Sequence, residues 1–537
     1  MKIQNKILAG AVALATASMS AHVYADTTED LINALVTKGV LTEDEGALLS
    51  RSHGKKMKNT PTIKNSGGKF TLQSADGKNS IAITGRMHFD MKASSIDEDD
   101  ISGGTYTEYD RDGKSISSPG EFEMRRARLG IKGKLDKIWK YNVVLNAAGK
   151  GKKGMDTAEL TFAPSKAFNF KMGQFKQAFN LEGLTSSNDI DFNERSWINQ
   201  ISPHKKLGIA ANGAFGKKNA GTWMVTRYQE NFKDDDIEVD ANMSARVTYD
   251  FAKAAKMKNK ILHFGISGFS EDYSQTPKTS SNGIDPVSGG EGYDADSPEG
   301  TTHAKLFSFK SAGRGLKPLA SLQLQGHGLT NGGASQKGKV NVDVESSFVG
   351  LEAIIANGPF KVQAEYTDGD FEGSNPGYTN TAEADIRAYY LTASYILTGE
   401  KYSKSYKGGK MKGIKVNNPY DMSSGKGIGM WEVAARYQKL DISNININQG
   451  DMTSGETRFR GTSNCGSVSA TYTSCTNGSS GADQWSLGLK WKANKNVQFK
   501  ASLEHTKFDD GMYVADVKSP KELDSETLGT VRMQYMF

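Results

Sequence analysis

The 537-residue sequence predicts an all-β fold, a transmembrane antiparallel barrel of sixteen strands with eighteen as the alternative, preceded by a short helical periplasmic segment. Three observations carry that prediction. Apolar residues alternate with polar ones over most of the chain instead of clustering. Tight turns alternate with long polar loops. The composition holds 58 glycines, 23 Phe, 20 Tyr and 6 Trp but only 12 prolines, with 37% of residues hydrophobic. After residue 25 no run approaches the ~20 apolar residues that a membrane helix needs. So many large aromatics also argue against wholesale disorder.

Residues 1–25 read as a signal peptide: Lys2 and Lys6, an apolar Ile7–Ala17 stretch, and Val23-Tyr24-Ala25 before Asp26. Its removal lowers the net charge from +6 to +4, because two lysines leave and no acid does. That is too small a surplus for a nucleic-acid binder of this size. Export places Cys465 and Cys475 in an oxidising compartment, where nine intervening residues suit a loop disulfide; two free thiols are the alternative.

Residues 26–66 are predicted to form a periplasmic helical segment and linker. Leu31, Ile32, Leu35 and Val36 recur at helical spacing and Gly39 is a stop. Thr42-Glu43-Asp44-Glu45 reads as a capping box opening a second short helix through Ala47, Leu48 and Leu49. Helices this short need a partner, for which the same segment of another subunit is one candidate. Residues 52–66, with Lys55, Lys56, Lys58 and Lys64, read as a solvated basic tether.

Residues 67–537 are predicted to form the barrel. In Trp485–Trp491 one face is Trp, Leu, Leu, Trp and the other Ser, Gly, Lys; Val497–Glu504, Trp431–Gln438 and Val531–Phe537 alternate likewise. Apolar residues toward lipid, polar residues toward a lumen and aromatics at the band edges are the pattern of an outer-membrane barrel. Tight turns at 134–137, 165–166, 357–358 and 493–496 alternate with long loops near 94–119, 177–204, 269–301, 368–383 and 441–482. The count reaches eighteen strands if Ala304–Phe309 and Leu319–Gln325 both span the membrane, and sixteen otherwise. Either number leaves a water-filled lumen unless loops plug it.

Side-chain parity then picks candidate pore residues. Ile81, Ile83, Gly85, Met87 and Phe89 share one face, so Arg86 and His88 point inward. Ala127, Leu129 and Ile131 place Arg126, Arg128 and Lys132 inward, whereas Arg125 has the wrong parity unless it lies at the rim or a bulge. Charge on the lipid face near the midplane costs ~2–4 kcal/mol per Arg or Lys. Arginine forks match oxyanions, and a column of them passes an anion between moderate sites. The competing reading is that these cations pair with lumen acids such as Glu432 and Glu504. The eight histidines show no metal-ligand spacing, and a lone lumen histidine such as His88 is far more often a pore-lining group than a catalytic one. The acidic runs Asp97–Asp100, Asp234–Asp236 and Asp285–Asp296 read as solvated loop charge, with divalent bridging to lipopolysaccharide as the alternative.

Several segments, in order, resemble the phosphate-selective porin O and P family: Gly85-Arg86, Arg125-Arg126-Ala127-Arg128-Leu129, Trp139-Lys140-Tyr141, Met172–Lys176, Phe179–Ser187, Glu194-Arg195-Ser196, Leu397–Glu400, Trp431–Tyr437 and Arg532–Tyr535. The resemblance covers roughly residues 69–537. It implies a sixteen-stranded, homotrimeric outer-membrane channel with an arginine ladder and inward-folded loops, of which Arg86, Arg125 and Arg126 are ladder members by position. It also assigns 301–327 mostly to the fifth loop, bringing Lys305, Lys310 and Arg314 to the lumen. Two departures stand out. That stretch is poor in arginine, and Gly183 stands where phosphate-specific members carry a lysine after Leu-Glu.

The expectation is a passive, anion-preferring outer-membrane channel for small anionic solutes, phosphate and polyphosphate among them, embedded in lipid and lipopolysaccharide, with no cofactor and no enzymatic activity. The alternatives are a general porin, an adhesin or scaffold barrel with an occluded lumen, and a barrel hydrolase.

Overall fold

The computed structural model describes residues 27–58, 60–66, 69–96, 121–148, 154–229, 242–275, 302–315, 319–326, 342–374, 381–448, 457–460, 476–514 and 521–537. The leader, Cys465, Cys475 and the three acidic runs lie outside the described residues. The chain divides into two units: residues 1–83 with 132–137, and 84–131 with 138–537.

In the first unit, helices Thr27–Thr37 and Glu43–Lys58 form a hairpin. The capping box is present: the Thr42 amide donates to Glu45 Oε2 at 2.9 Å and the Glu45 amide to Thr42 Oγ1 at 3.2 Å. Ile32 is buried, and a Cβ on Gly46 would lie 2.4 Å from Val36, so the helices meet at a glycine. The stretch expected to be a tether is structured. The second helix continues to Lys58, and β1 (Thr62–Ser66) pairs antiparallel with β2 (Lys69–Gln73).

The second unit is the barrel. Its strands are β3 (Ser80–Ile96), β4 (Glu121–Leu135), β5 (Trp139–Asn146), β6 (Gly154–Phe162), β7 (Asn169–Lys176), β8 (Lys205–Phe215), β9 (Gly221–Gln229), β10 (Asn242–Asp250) and β11 (Lys260–Gln275). The chain then makes β12 (Thr302–Phe309) and β13 (Ala320–Gly326), and returns to the barrel with β14 (Val342–Asn357), β15 (Phe360–Ser374), β16 (Thr381–Ile396) and β17 (Met430–Asn448). After β18 (Thr457–Arg460) come β19 (Thr476–Lys492), β20 (Val497–Val514) and β21 (Lys521–Met536). β1 and β2 are a hairpin of the first unit, and sixteen strands make the barrel sheet. Closure is made by β21 on β3, in register from Met536↔Arg86 to Glu526↔Ile96. A closed sheet leaves no unpaired edge in hydrocarbon. The two segments that would have made eighteen spanning strands are strands, but β12, β13 and β18 form a separate three-stranded sheet.

The outer face follows the predicted alternation. Trp485, Leu487 and Leu489 on β19, Leu503 on β20, and Val531, Met533 and Tyr535 on β21 are exposed. The inner face departs from it. Toward their outer ends β14, β16 and β17 turn Val342, Val344, Phe348, Ala382, Ala384, Ile386, Leu440 and Ile442 inward, all buried. These residues pack in one cluster with Leu306, Phe307, Phe309 and Leu322 of the small sheet and with Phe179, Trp197 and Ile198 of the 177–204 loop. One side of the lumen is therefore a dry core, built as two facing sheets are built. A second inward segment was not foreseen. Residues 397–429, at the short-turn end, seat Tyr402, Met411 and Val416 against Leu181, Ile261 and Ile354.

Candidate functional site: the cationic lumen wall

On β3, Arg86 and His88 face inward as parity requires. Arg86 Nη1 reaches Ser187 Oγ at 3.1 Å and Ser186 Oγ and Asn188 Oδ1 at 3.4 Å, all on the 177–204 loop. On β4 the outward phase changes along the strand. Phe122 and Met124 are exposed before the arginines, Leu129 and Ile131 after them. A one-residue slip of this kind turns two consecutive side chains to the same face. Arg125 and Arg126 accordingly both point inward, which resolves the parity conflict at Arg125. Arg125 forms a bidentate pair with Glu194 at 2.8 and 3.2 Å. Arg126 is buried against His88 Nδ1 at 3.3 Å and has no carboxylate partner among the described residues. Arg128 pairs with Asp156 at 2.7 Å.

The other predicted cations divide. Lys132 belongs to the first unit and is exposed. Lys305 lies opposite Gln323 in the small sheet, and its side chain is outside the described residues. Lys310 serves through its backbone: its carbonyl accepts from Trp197 Nε1 at 3.0 Å and Gln200 Nε2 at 3.1 Å, joining the small sheet to the 177–204 loop. Arg314 grips Glu123 of β4 at 3.0 and 3.1 Å, and Lys92 sits 3.2 Å from the same carboxylate. Its charge is engaged in tethering the insert to the wall.

Exposure locates the open side of the lumen. Arg532, Arg436 and Lys361, on β21, β17 and β15, have side chains 0–3% exposed. On β4 to β8 the inward side chains Arg125, Arg128, Glu159, Lys171 and Lys205 remain 19–22% exposed. Water therefore reaches the β4–β8 wall, while inward-folded chain covers the opposite one. Along this wall Asp156 lies between Arg128 and Lys205, and Glu159 pairs with Lys171 at 2.9 Å. Three acids, Asp156, Glu159 and Glu194 of the loop, stand among Arg86, Arg125, Arg128, Lys171 and Lys205, so positive charge is in excess.

The 177–204 loop brings further charge against this wall. Lys176, at the end of β7, donates to the carbonyls of Gly183 and Thr185, and Arg195 Nη2 also donates to Thr185 O at 2.8 Å. A side chain at Gly183 would displace the loop's own cap, since a Cβ would lie 2.2 Å from Asn180 Oδ1, the atom that accepts the Gly183 amide. Burial raises the Glu194 carboxyl, but Arg125, Arg532 and Arg126 beside it outweigh burial and hold it well below the usual carboxylate range. In the 397–429 segment, burial and then Lys412, Lys171 and Arg246 push Lys410 down to about 8.

Sequence reasoning missed Lys171, Lys205, Lys176, Arg195 and Lys410. The first two were within reach of the parity rule, since Lys171 alternates with Phe170 and Met172. Nothing local marks the loop residues. The lumen acids named beforehand hold a cation in one case: Glu432 pairs with Lys490 through one oxygen, and Glu432 and Glu504 each keep one buried oxygen without a partner among the described residues. Among the described residues no group of three or more His, Cys, Asp or Glu side chains is placed to hold a metal.

Residues 103–296 and 322–537 match the family described as phosphate-selective porin O and P. Porin O of Pseudomonas aeruginosa is 25% identical over 401 residues, covering 72% of this chain and 76% of that protein. Among solved structures, an anion-selective porin from Comamonas acidovorans aligns with a TM-score of 0.42 at 11% identity, over 86% of this chain and 100% of that one. A loop-deletion mutant of the outer membrane protein OmpT of Vibrio cholerae aligns with a TM-score of 0.41 at 10% identity, over 86% of this chain and 100% of that one.

Proposed function

Because the chain belongs to the phosphate-selective porin O and P family, we propose that its lumen is a passive, anion-preferring pathway whose selectivity is set on the β4–β8 wall. The protein is an outer-membrane porin, a channel and not an enzyme. The observation that carries the reading is the excess of cations over acids along the accessible Arg125, Arg128, Lys171 and Lys205, with Arg86 of the neighbouring β3 beside them. A wall of one sign raises the local concentration of counter-ions and admits them ahead of co-ions. Arg126 adds its field from one layer behind. Lys310, engaged through its backbone, and Arg314, paired with Glu123, stand outside this wall, as does Lys132 of the first unit.

Small oxyanions, phosphate and polyphosphate included, are the solutes that guanidinium forks and neighbouring hydroxyls suit. The pairing of Asp156 and Glu159 with three of the wall cations favours a second reading, a moderately anion-selective general porin without a phosphate site. Reconstitution in a planar bilayer separates the two. In a potassium chloride gradient both predict an anion-selective reversal potential, but only a phosphate site lets submillimolar phosphate block the chloride current. A reversal potential at zero would overturn both readings. Assembly as a homotrimer is part of the proposal, checked by cross-linking in detergent without heating.

A further inference from the structure

The 177–204 loop carries acids as well as cations, and Glu182 is the one placed at its innermost helical turn, Leu181–Leu184. The amide of Leu181 and that of Glu182 both donate to the Glu365 carboxylate of β15 at 2.7 Å, and Tyr390 of β16 donates to it at 2.5 Å. The Glu182 side chain turns behind the loop. There it accepts the Ser196 amide at 2.8 Å and meets Arg436 of β17 at 2.5 Å. Arg436 is held on every side. Its guanidinium carbon lies 4.6 Å from the centre of the Phe192 ring and 4.8 Å from that of Tyr390, and Nε donates to Thr392 Oγ1 at 3.1 Å. Both charged side chains are 3% exposed.

Arg436 is thus too deeply buried to meet a permeating ion, yet it faces an acid on the loop that narrows the pathway. We propose that Arg436 is a specificity-determining residue of the channel: it cancels the charge of Glu182 and, stacked between Phe192 of the loop and Tyr390 of β16, holds the loop to the wall. This keeps the narrow zone of an anion pathway free of uncompensated negative charge. The inference rests on the anion-selective reading above. A guanidinium suits the role because it bonds in plane and stacks on both faces, which an ammonium cannot do.

The test is a charge cycle read as reversal potential in single channels. Arg436→Gln leaves Glu182 without its counter-charge, and the anion-to-cation permeability ratio is expected to fall about threefold or more. Glu182→Gln with Arg436→Gln removes both charges and is expected to restore the ratio. Arg436→Lys keeps the charge but loses the stack; it is expected to hold the ratio while open-channel current noise rises. Retarded migration of unheated protein on a denaturing gel shows which variants form the barrel, and the double variant remains informative if Arg436→Gln does not fold. An unchanged ratio in Arg436→Gln, or a double variant whose ratio lies below wild type, overturns the proposal. A wild-type channel without anion preference instead overturns the underlying reading, whatever the variants do.

Discussion

Arg126 donates to Nδ1 of His88 across 3.3 Å, so the proton of the His88 ring sits on Nε2, which donates to Asn188 of the constricting loop at 2.9 Å. A relay of this direction fixes the histidine as a neutral connector and leaves the arginine as the charge. Arg126→Glu changes the wall by two charge units. At about 10 Å from the pathway in a partly solvated site that is worth roughly 1–3 kcal/mol, or about tenfold in permeability ratio. The reversal potential in a salt gradient is expected to move toward cation preference. No movement would remove Arg126 from the selective wall.

Lys410 makes the channel sensitive to alkali. With its ammonium pushed down to about 8 by burial and by Lys412, Lys171 and Arg246, against the pull of Glu159, the residue is charged below that pH and neutral above it. Anion selectivity is therefore expected to decline as pH rises from about 7 to 9, below the ordinary lysine range. Lys410→Met is expected to flatten this part of the profile. A wild-type profile already flat there would show that Lys410 does not act on the pathway.

The closing seam carries a buried ion cluster. Arg532 and Asp90 are register partners on β21 and β3, joined by two bonds of 2.6 Å, and the same guanidinium reaches Glu194 at 2.6 Å. Loss of Asp90 takes two bonds from Arg532 but leaves it paired with Glu194, so the cost falls short of the roughly 3–5 kcal/mol of a fully stranded buried charge. Asp90→Ala is expected to lower the temperature at which the barrel loses its retarded gel migration. An unchanged temperature would mean that the seam is held by backbone pairing alone.

Aromatic rings tie the inner sheet to the wall. Phe269 stacks on Phe348 at 5.2 Å, Phe348 meets Phe371 at 5.2 Å, and Phe371 meets Phe307 of β12 at 5.5 Å. Truncating a buried Phe to Ala costs about 3–5 kcal/mol. For Phe371→Ala the loss falls on the attachment of the small sheet, so larger conductance and more frequent closures are expected in single-channel records. Ordinary records together with unchanged thermal stability would show the rings to be incidental.

Much of the barrel was legible because lipid enforces it. Leu487, Leu489 and Leu503 must alternate with polar residues wherever one face meets hydrocarbon and the other meets water. The inward place of Arg86 and Arg128 follows from the same rule. Arg125 was ambiguous because a slip in strand phase leaves no mark in the sequence except two arginines in a row. The dry half of the lumen was hidden for a different reason. Around Val342, Val344 and Phe348, or Leu440 and Ile442, the apolar face is the inner one and Asp343, Glu345, Lys439 and Asp441 lie on the other, so alternation read alone assigns the wrong side to lipid. The 397–429 segment, rich in Gly, Lys and Ser, has the composition of a solvated loop, and little beyond Tyr402, Met411 and Val416 hints at burial. Arg195 and Lys176 act through loop carbonyls, a relation that exists only after the loop has folded.

A lumen with one wet side and one dry side separates two kinds of evolutionary pressure. Changes on β4 to β8 retune which solutes pass while leaving the interior scaffold intact, and changes to the apolar inward residues of β14 to β17, Arg436 apart, alter durability with little effect on what is admitted. A lineage could drift in diet along one wall without risking collapse, so relatives with the same skeleton should differ most in the cations and acids of those few strands.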